Sequence, residues 1–409
     1  MHHTSSRRIL TAALSLLLLA SAVSCAADDG QARTADSTAD NTAAVTETEQ
    51  TTEPAAETVT ETEAPQAEEP LPGDITPIPL RRTDDWVDWD ADYNNPKVKF
   101  TEIVEGLIAR DVYVGRDGWL FYTDSISNYL GDDLYSETML KRIAKQAQDR
   151  SDRCAENGMT FYFMIAPNKN TVYPEKMMSS MQEGELKRID QVYDYLAANT
   201  TVKCIDVRDA LQAEKAANPD VDLYYPLDTH WNNHGGFIAY QTIMDAVQKD
   251  YPNALKFERE DYQIDYFDSH FKDCAYYLGY YDTLMNEGPV YTKRDGKIGH
   301  VTWHDWSGEF GQFVHAYVDP ENGFQESCFN MGYQNDYAKD APSLYIVRDS
   351  FFMAMSTFLR DSFSEVTSTW TTDFPNRDIL EKKPDVVIFE VIEAQMDAVF
   401  GSKTFRNNP

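Results

Sequence analysis

Two short segments of this 409-residue chain hold the side chains best suited to covalent chemistry. The first reads Leu227-Asp228-Thr229-His230-Trp231-Asn232-Asn233-His234-Gly235-Gly236. The second reads Leu344-Tyr345-Ile346-Val347-Arg348-Asp349-Ser350-Phe351-Phe352. A serine hydroxyl is a poor nucleophile until a neighbouring base takes its proton. Histidine suits that task because its pKa lies near neutrality. A carboxylate then fixes the imidazole tautomer and stabilises the imidazolium. Ser350, His230 and Asp228 supply one of each type, and Asp349 is an alternative acid. The backbone N–H groups of Ser350 and Phe351 are candidate oxyanion donors, with the side chains of Arg348 and Asn168 as further candidates. The plain structural readings are helix capping by Asp-Thr-His and by Ser350, and an ion pair for Arg348. A metal reading would join His230, His234 and Asp228. It lacks the glutamate of a zinc-protease motif, and Gly235-Gly236 place the helix start after these residues.

The elements that must position these groups follow from periodicity. Leu134 to Asn157 has helical spacing, with Leu140, Ile143 and Ala147 on one face, and Gly158 ends it. Met159 to Ala166 is a continuous apolar run, as expected of a parallel strand buried on both faces. Helix is expected again over 183–198, 235–249 and 350–359, and strand over 202–207, 343–347 and 385–392. Strands separated by helices imply βαβ units, an α/β fold and a largely parallel sheet. Ser350 then falls where a strand ends and a helix begins, at the carboxyl edge where sites form in open α/β sheets. Residues 255–340 break this rhythm and read as an inserted loop-rich or small antiparallel region. Within it, Trp303, His304 and Trp306 could stack on a sugar or simply form a local core.

The chain's ends and charge narrow the function. Arg7 and Arg8 precede an apolar run over 9–20, and Ser21-Ala22-Val23-Ser24-Cys25 follows. This is expected to be a bacterial lipoprotein signal with Cys25 as the lipidated residue, or else an ordinary secretory signal. Ala22 stands where such signals usually carry Leu. Residues 26–75 are rich in Thr, Glu, Ala and Pro, and the first aromatic residue of the chain is Trp86. That composition cannot offset its chain entropy by burial, so a disordered linker is expected. One domain follows over 86–409. The net charge is −32, from 68 acidic and 36 basic residues. Residues 26–69 hold 12 acidic residues and one basic, Arg33. With the two leader arginines set aside, −23 remains on residues 70–409. This balance argues against nucleic acid as a partner. No dinucleotide or P-loop fingerprint is present, so no cofactor is expected. Cys154, Cys204, Cys274 and Cys328 permit two disulfides, with Cys154–Cys204 and Cys274–Cys328 as the sequence-local pairing, or four free thiols.

Four segments in order carry a family resemblance. Asp228-Thr229-His230-Trp231 resembles an Asp-His-His-Trp motif, with Thr at its second position. Arg348-Asp349-Ser350-Phe351 accompanies it. Gly115-Arg116-Asp117-Gly118-Trp119-Leu120-Phe121 is similar to a Gly-x-Asp-Gly-Trp-Leu-Phe signature, and 166–175 to a strand-end Pro-x-Lys-x-x-x-Tyr-Pro loop. Together they resemble the SGNH-hydrolase-like domain of the alginate O-acetyltransferases and the bacterial family named for that Asp-His-His-Trp motif. The resemblance implies a flavodoxin-like three-layer sandwich in circularly permuted order. It also implies Ser350, His230 and Asp228 as catalytic residues, and transfer of acetyl groups to an extracellular polysaccharide. A membrane-bound O-acyltransferase is the implied donor partner. Lys169 and Tyr173 would orient the substrate loop, and Trp231 would pack beside His230. An esterase with the same residues, or a non-catalytic carbohydrate-binding lipoprotein, are the other readings.

Overall fold

The computed structural model describes residues 105–402, apart from 270, 281–282, 306–317, 320–322, 325–329 and 371–373. The expected signal, Cys25 and linker lie outside the described residues, as do Trp306, Cys328 and the side chains of Trp303 and His304. Among the described residues no helix is long and apolar enough to cross a membrane.

The strands are β1 (Ile108–Ala109), β2 (Val112–Val114), β3 (Leu120–Tyr122), β4 (Thr160–Ala166), β5 (Lys203–Ile205), β6 (Tyr262–Asp268), β7 (Glu287–Lys293), β8 (His300–Asp305), β9 (Val318–Asp319), β10 (Gly323–Phe324), β11 (Asn330–Gln334), β12 (Leu344–Arg348), β13 (Glu365–Trp370) and β14 (Val386–Ile392). The helices are α1 (Ser125–Leu130), α2 (Glu137–Glu156), α3 (Lys169–Val172), α4 (Arg188–Asn199), α5 (Arg208–Ala217), α6 (Asn233–Val247), α7 (Asp273–Tyr277), α8 (Met353–Ser362), α9 (Asn376–Lys382) and α10 (Met396–Gly401).

A seven-stranded sheet in the order β5-β4-β14-β12-β13-β11-β8 organises the molecule. The first five strands run parallel. β11 is antiparallel to β13, and β8 is antiparallel to β11. The apolar runs of β4, β12 and β14 are buried because helices cover both faces. Alternate residues feed two cores. Tyr162, Met164, Ile346 and Ile388 pack with Phe237, Tyr240 and Phe358 of α6 and α8. Phe161, Phe163, Val347 and Phe389 pack with Ile143, Val192 and Val399 of α2, α4 and α10. The two helices on the first face touch closely at Gly236, where a Cβ would come within 2.2 Å of the Ala354 carbonyl oxygen.

The region 255–340 is less separate than its sequence suggested. β6 and β7 do form an antiparallel pair of their own, and β9 pairs with β10. However, β8 and β11 extend the main sheet. Cys154 and Cys204 are free thiols, which corrects the sequence-local disulfide between them; Cys274 is also a free, buried thiol. Cys154 is buried on α2 and Cys204 exposed on β5, so the two face different surroundings.

Candidate active site

The segment 223–232 folds back on itself. Tyr224 bridges Trp231, the Tyr225 N–H donates to the His230 carbonyl at 3.0 Å, and the Asp228 N–H donates to the Tyr225 carbonyl at 3.3 Å. α6 begins at Asn233, two residues before the expected start. The Asn232 side chain caps it by accepting from the N–H groups of His234 and Gly235. The fold-back sets Asp228 against the ring of His230. Asp228 Oδ1 accepts from His230 Nδ1 at 2.6 Å and from the His230 N–H at 3.0 Å. On the other side of the ring, His230 Nε2 lies 2.7 Å from Ser350 Oγ. A carboxylate can only accept, so the neutral imidazole carries its proton on Nδ1 and presents an Nε2 lone pair to the hydroxyl.

Electrostatics support that assignment. Burial alone would raise the Asp228 pKa, but the charge of His230 and three hydrogen bonds hold it below the ordinary carboxylate value. Burial would lower His230, but the charge and hydrogen bond of Asp228 outweigh it and raise the imidazole above its usual value.

Ser350 opens a short 3-10 turn, Ser350–Phe352, that leads from β12 into α8. Asp349 holds this turn rather than the imidazole. Its carboxylate accepts from the Phe351 N–H at 2.9 Å and from the Ile392 N–H at 2.5 Å. The Phe351 N–H is thus committed to a side chain, which corrects its expected role as an oxyanion donor. The Asp349 N–H donates to Glu390 Oε2 at 2.9 Å. Glu390 is fully buried on β14, and burial together with the charge of Asp349 pushes its pKa well up. Arg348 is also fully buried, with its guanidinium 5.1 Å from the Phe352 ring centroid and 5.4 Å from that of Trp370. The Asn168 side chain fastens loops together: Nδ2 donates to Asn128 Oδ1 at 3.1 Å, and Oδ1 accepts from the Ala394 N–H at 3.0 Å.

Lys169 explains why two distant sequence segments accompany the pair. Its buried ammonium donates to four backbone carbonyls, those of Leu120, Tyr225, Pro226 and Asp228. It also lies 4.7 Å from the Phe121 ring centroid and 5.3 Å from that of Trp119. Burial pulls its pKa down to about 8. The Gly-x-Asp-Gly-Trp-Leu-Phe segment therefore makes one wall of the Lys169 socket. It reaches that wall through a tight turn in which Asp117 and Gly118 both hold positive φ, 56° and 75°. Tyr173 packs at 4.6 Å against Trp119 and accepts from the Leu223 N–H at 2.8 Å, so it braces the same loop. Trp231 ties the His230 segment to the Ser350 turn: its Nε1–H donates to the Phe351 carbonyl at 2.7 Å.

Two contributors escaped sequence reading, and both come from the stretch taken as an insertion. The Asp273 N–H donates to Asp228 Oδ2 at 2.8 Å, completing the carboxylate's partners. Burial and the nearby Asp228 charge raise the Asp273 carboxyl's own pKa. The Phe271 ring lies 5.4 Å from the His230 ring and stacks on Tyr225 at 5.2 Å. Neither residue sits in a recognisable spacing. His234, the third member of the metal reading, is engaged elsewhere: Nδ1 meets Tyr291 Oη at 2.7 Å and Nε2 meets Tyr266 Oη at 2.9 Å.

Fold and site together define an α/β protein with serine, imidazole and carboxylate gathered beside the carboxyl edge of a mostly parallel sheet. Residues 112–271 match the family model described as the SGNH hydrolase-like domain of acetyltransferase AlgX. That stretch includes Asp228 and His230 and ends before Ser350. Among curated proteins, the chain is 23% identical over 138 residues to the probable alginate O-acetylase AlgJ of Pseudomonas putida. The match spans 34% of this chain and about a third, 34%, of the relative's length. A DHHW family protein from Eubacterium siraeum shares the fold with a TM-score of 0.56 and 17% identity, over 75% of this chain and 98% of that one. Bacillus cereus PatB1, solved with a sulfonyl adduct, shares it with a TM-score of 0.53 and 18% identity, over 72% of this chain and 99% of that one. The likeness read from four short segments thus extends to the fold.

Proposed function

We propose that this protein is an extracytoplasmic O-acetyltransferase that moves an acetyl group through a serine ester onto hydroxyls of a cell-surface or secreted polysaccharide. The observation that carries the reading is His230, with Asp228 at 2.6 Å on one ring nitrogen and Ser350 at 2.7 Å on the other. The AlgX-type match and the AlgJ relative support acetyl as the group transferred. His230 accepts the Ser350 proton as Oγ attacks the carbonyl carbon of the donor ester. The imidazolium, paired with Asp228, returns the proton to the leaving alkoxide. The sugar hydroxyl then attacks the acetyl-serine, His230 takes its proton, and Ser350 is regenerated as that proton returns to Oγ. The Ser350 N–H, at the start of the turn into α8, serves the developing oxyanion. Acid and base precede the nucleophile in the chain, which we read as a circularly permuted SGNH order.

Cys25 lipidation, a 26–75 tether and a membrane-bound O-acyltransferase as donor partner complete this reading. The test is incubation with an activated acetyl ester and candidate oligosaccharides, using wild type and Ser350→Ala. Acetylated sugar formed by wild type alone supports transfer. Acetate release without acetylated sugar assigns an esterase, and equal activity in Ser350→Ala removes the serine assignment.

A further inference from the structure

Along the same carboxyl edge lies a polar cavity of about 420 Å³. Thr171 after β4, Glu185 and Lys187 before α4, and Arg208, Asp209 and Gln212 of α5 contribute to its walls. A buried carboxyl backs it. Glu393, fully buried at the end of β14, accepts from Thr171 Oγ1 at 2.7 Å and from the Asn168 N–H at 2.9 Å through Oε2, while its Oε1 has no hydrogen-bond partner among the described residues.

The cavity is coupled to the serine turn through β14. Ile392 donates its N–H to the Asp349 carboxylate, and the next residue, Glu393, holds Thr171 in the cavity wall. β12, which delivers Ser350, and β4, which delivers Thr171, both flank β14. With strands about 4.8 Å apart, β12 and β4 lie about 10 Å apart across β14.

The walls also set a sign of charge. Four carboxylates (Glu183, Glu185, Asp190 and Asp209) face two cations, and both cations are already paired. Lys187 bonds Glu183, and Arg208 reaches Asp190 at 2.5 Å and Asp206 at 2.6 Å. A further carboxylate entering here would meet uncompensated negative charge. A hydroxyl or an ammonium would meet acceptors.

We propose that this cavity is a distal subsite for a neutral or amino-bearing sugar residue of the acceptor glycan, beyond the residue acylated at Ser350. The proposal rests on the acetyltransferase reading and adds the acceptor's length and charge. Asp209 is exposed on the rim, so Asp209→Trp obstructs the cavity without disturbing the core, and Glu185→Lys changes its sign.

The experiment measures acetyl transfer to monosaccharides and to neutral, glucosamine-type and uronate oligosaccharides, beside hydrolysis of 4-nitrophenyl acetate. Wild type should prefer neutral or amino-bearing oligomers to uronates. Asp209→Trp should raise KM for those oligomers by ~10-fold or more, a difference of about 1.4 kcal/mol, while monosaccharide transfer and ester hydrolysis stay within about twofold of wild type. Glu185→Lys should narrow the preference against uronates. Unchanged oligomer KM in Asp209→Trp, or a wild-type preference for uronates, overturns the subsite. Ester hydrolysis with no transfer to any acceptor overturns it together with the transferase reading.

Discussion

The arrangement around Asp228 makes a sharp prediction for Asp228→Asn. Every neighbour of this carboxylate is an N–H donor: His230 Nδ1 and the His230 N–H on Oδ1, and the Asp273 N–H on Oδ2. An amide offers one acceptor and one donor group, so it cannot satisfy both sides. If its oxygen faces Asp273, its NH₂ confronts the His230 N–H and forces the proton of the imidazole onto Nε2. His230 would then donate to Ser350 and could not act as base. If its oxygen faces His230, the NH₂ meets the Asp273 N–H head on, leaving a buried donor unpaired at about 1–3 kcal/mol. The charge that holds His230 above its usual pKa is lost in both cases. By comparison with the same substitution in serine proteases, kcat should fall on the order of 10³–10⁴-fold, equivalent to about 4–5.5 kcal/mol of barrier. The assay is 4-nitrophenyl acetate turnover from pH 5 to 9. Wild-type activity should rise with pH through an imidazole pKa above the ordinary 6.5, because the base must be neutral. In Asp228→Asn the residual activity should rise at lower pH, because burial then acts on His230 without the opposing carboxylate. Activity within about fivefold of wild type, or an acid limb that does not move, would refute the assignment of Asp228.

Two further substitutions probe the supports of the site. Lys169→Met removes the shared donor of four carbonyls and should lower stability by about 1–3 kcal/mol, seen as a drop in melting temperature together with lower ester hydrolysis. An unchanged melting temperature would mean that the socket holds its shape without the ammonium. Glu390 has a folded pKa well above its unfolded value, so the folded state keeps a proton that the unfolded state releases, and stability falls as pH rises above the unfolded pKa. Glu390→Gln keeps the shape without the titration. It should raise the melting temperature at pH 8 and leave it unchanged at pH 4, and equal melting curves at pH 8 would count against a protonated Glu390.

Much of the scaffold was legible because its strands are apolar runs of strand length. β4, β12 and β14 have no polar residue over most of their span, and only a doubly covered sheet explains such runs. β13 was missed for the opposite reason. Its Thr367, Ser368 and Thr369 are buried, and their hydroxyls give no hydrophobic signal. β8 and β11 were assigned to an insertion because antiparallel strands need no crossover helix to announce them. Asp228, His230 and Ser350 could be named from residue type and strand-end position. The partners of Asp349 could not: an acid beside a serine reads equally as capping or catalysis until Ile392 and Glu390 arrive from another strand. Asp273 and Phe271 reach the site only through the path of the chain after β6.

The strand order also sets a timetable for the chain. Among the described residues β14 is the last strand in chain order, yet it pairs with both β4 and β12 near the middle of the sheet. Before residues 386–392 are available, those two strands lack the partner between them, and the Asp349 carboxylate lacks the Ile392 N–H. Lys169 and its carbonyls all lie within residues 120–228, so the His230 loop can be framed before β6 is made. The Ser350 turn waits for β14 to insert. Such closure by distant pairing is slow compared with local helix formation. A chain lacking β14 would present two open, apolar strand edges to other molecules, so the exposure to aggregation is concentrated in the interval before that strand inserts.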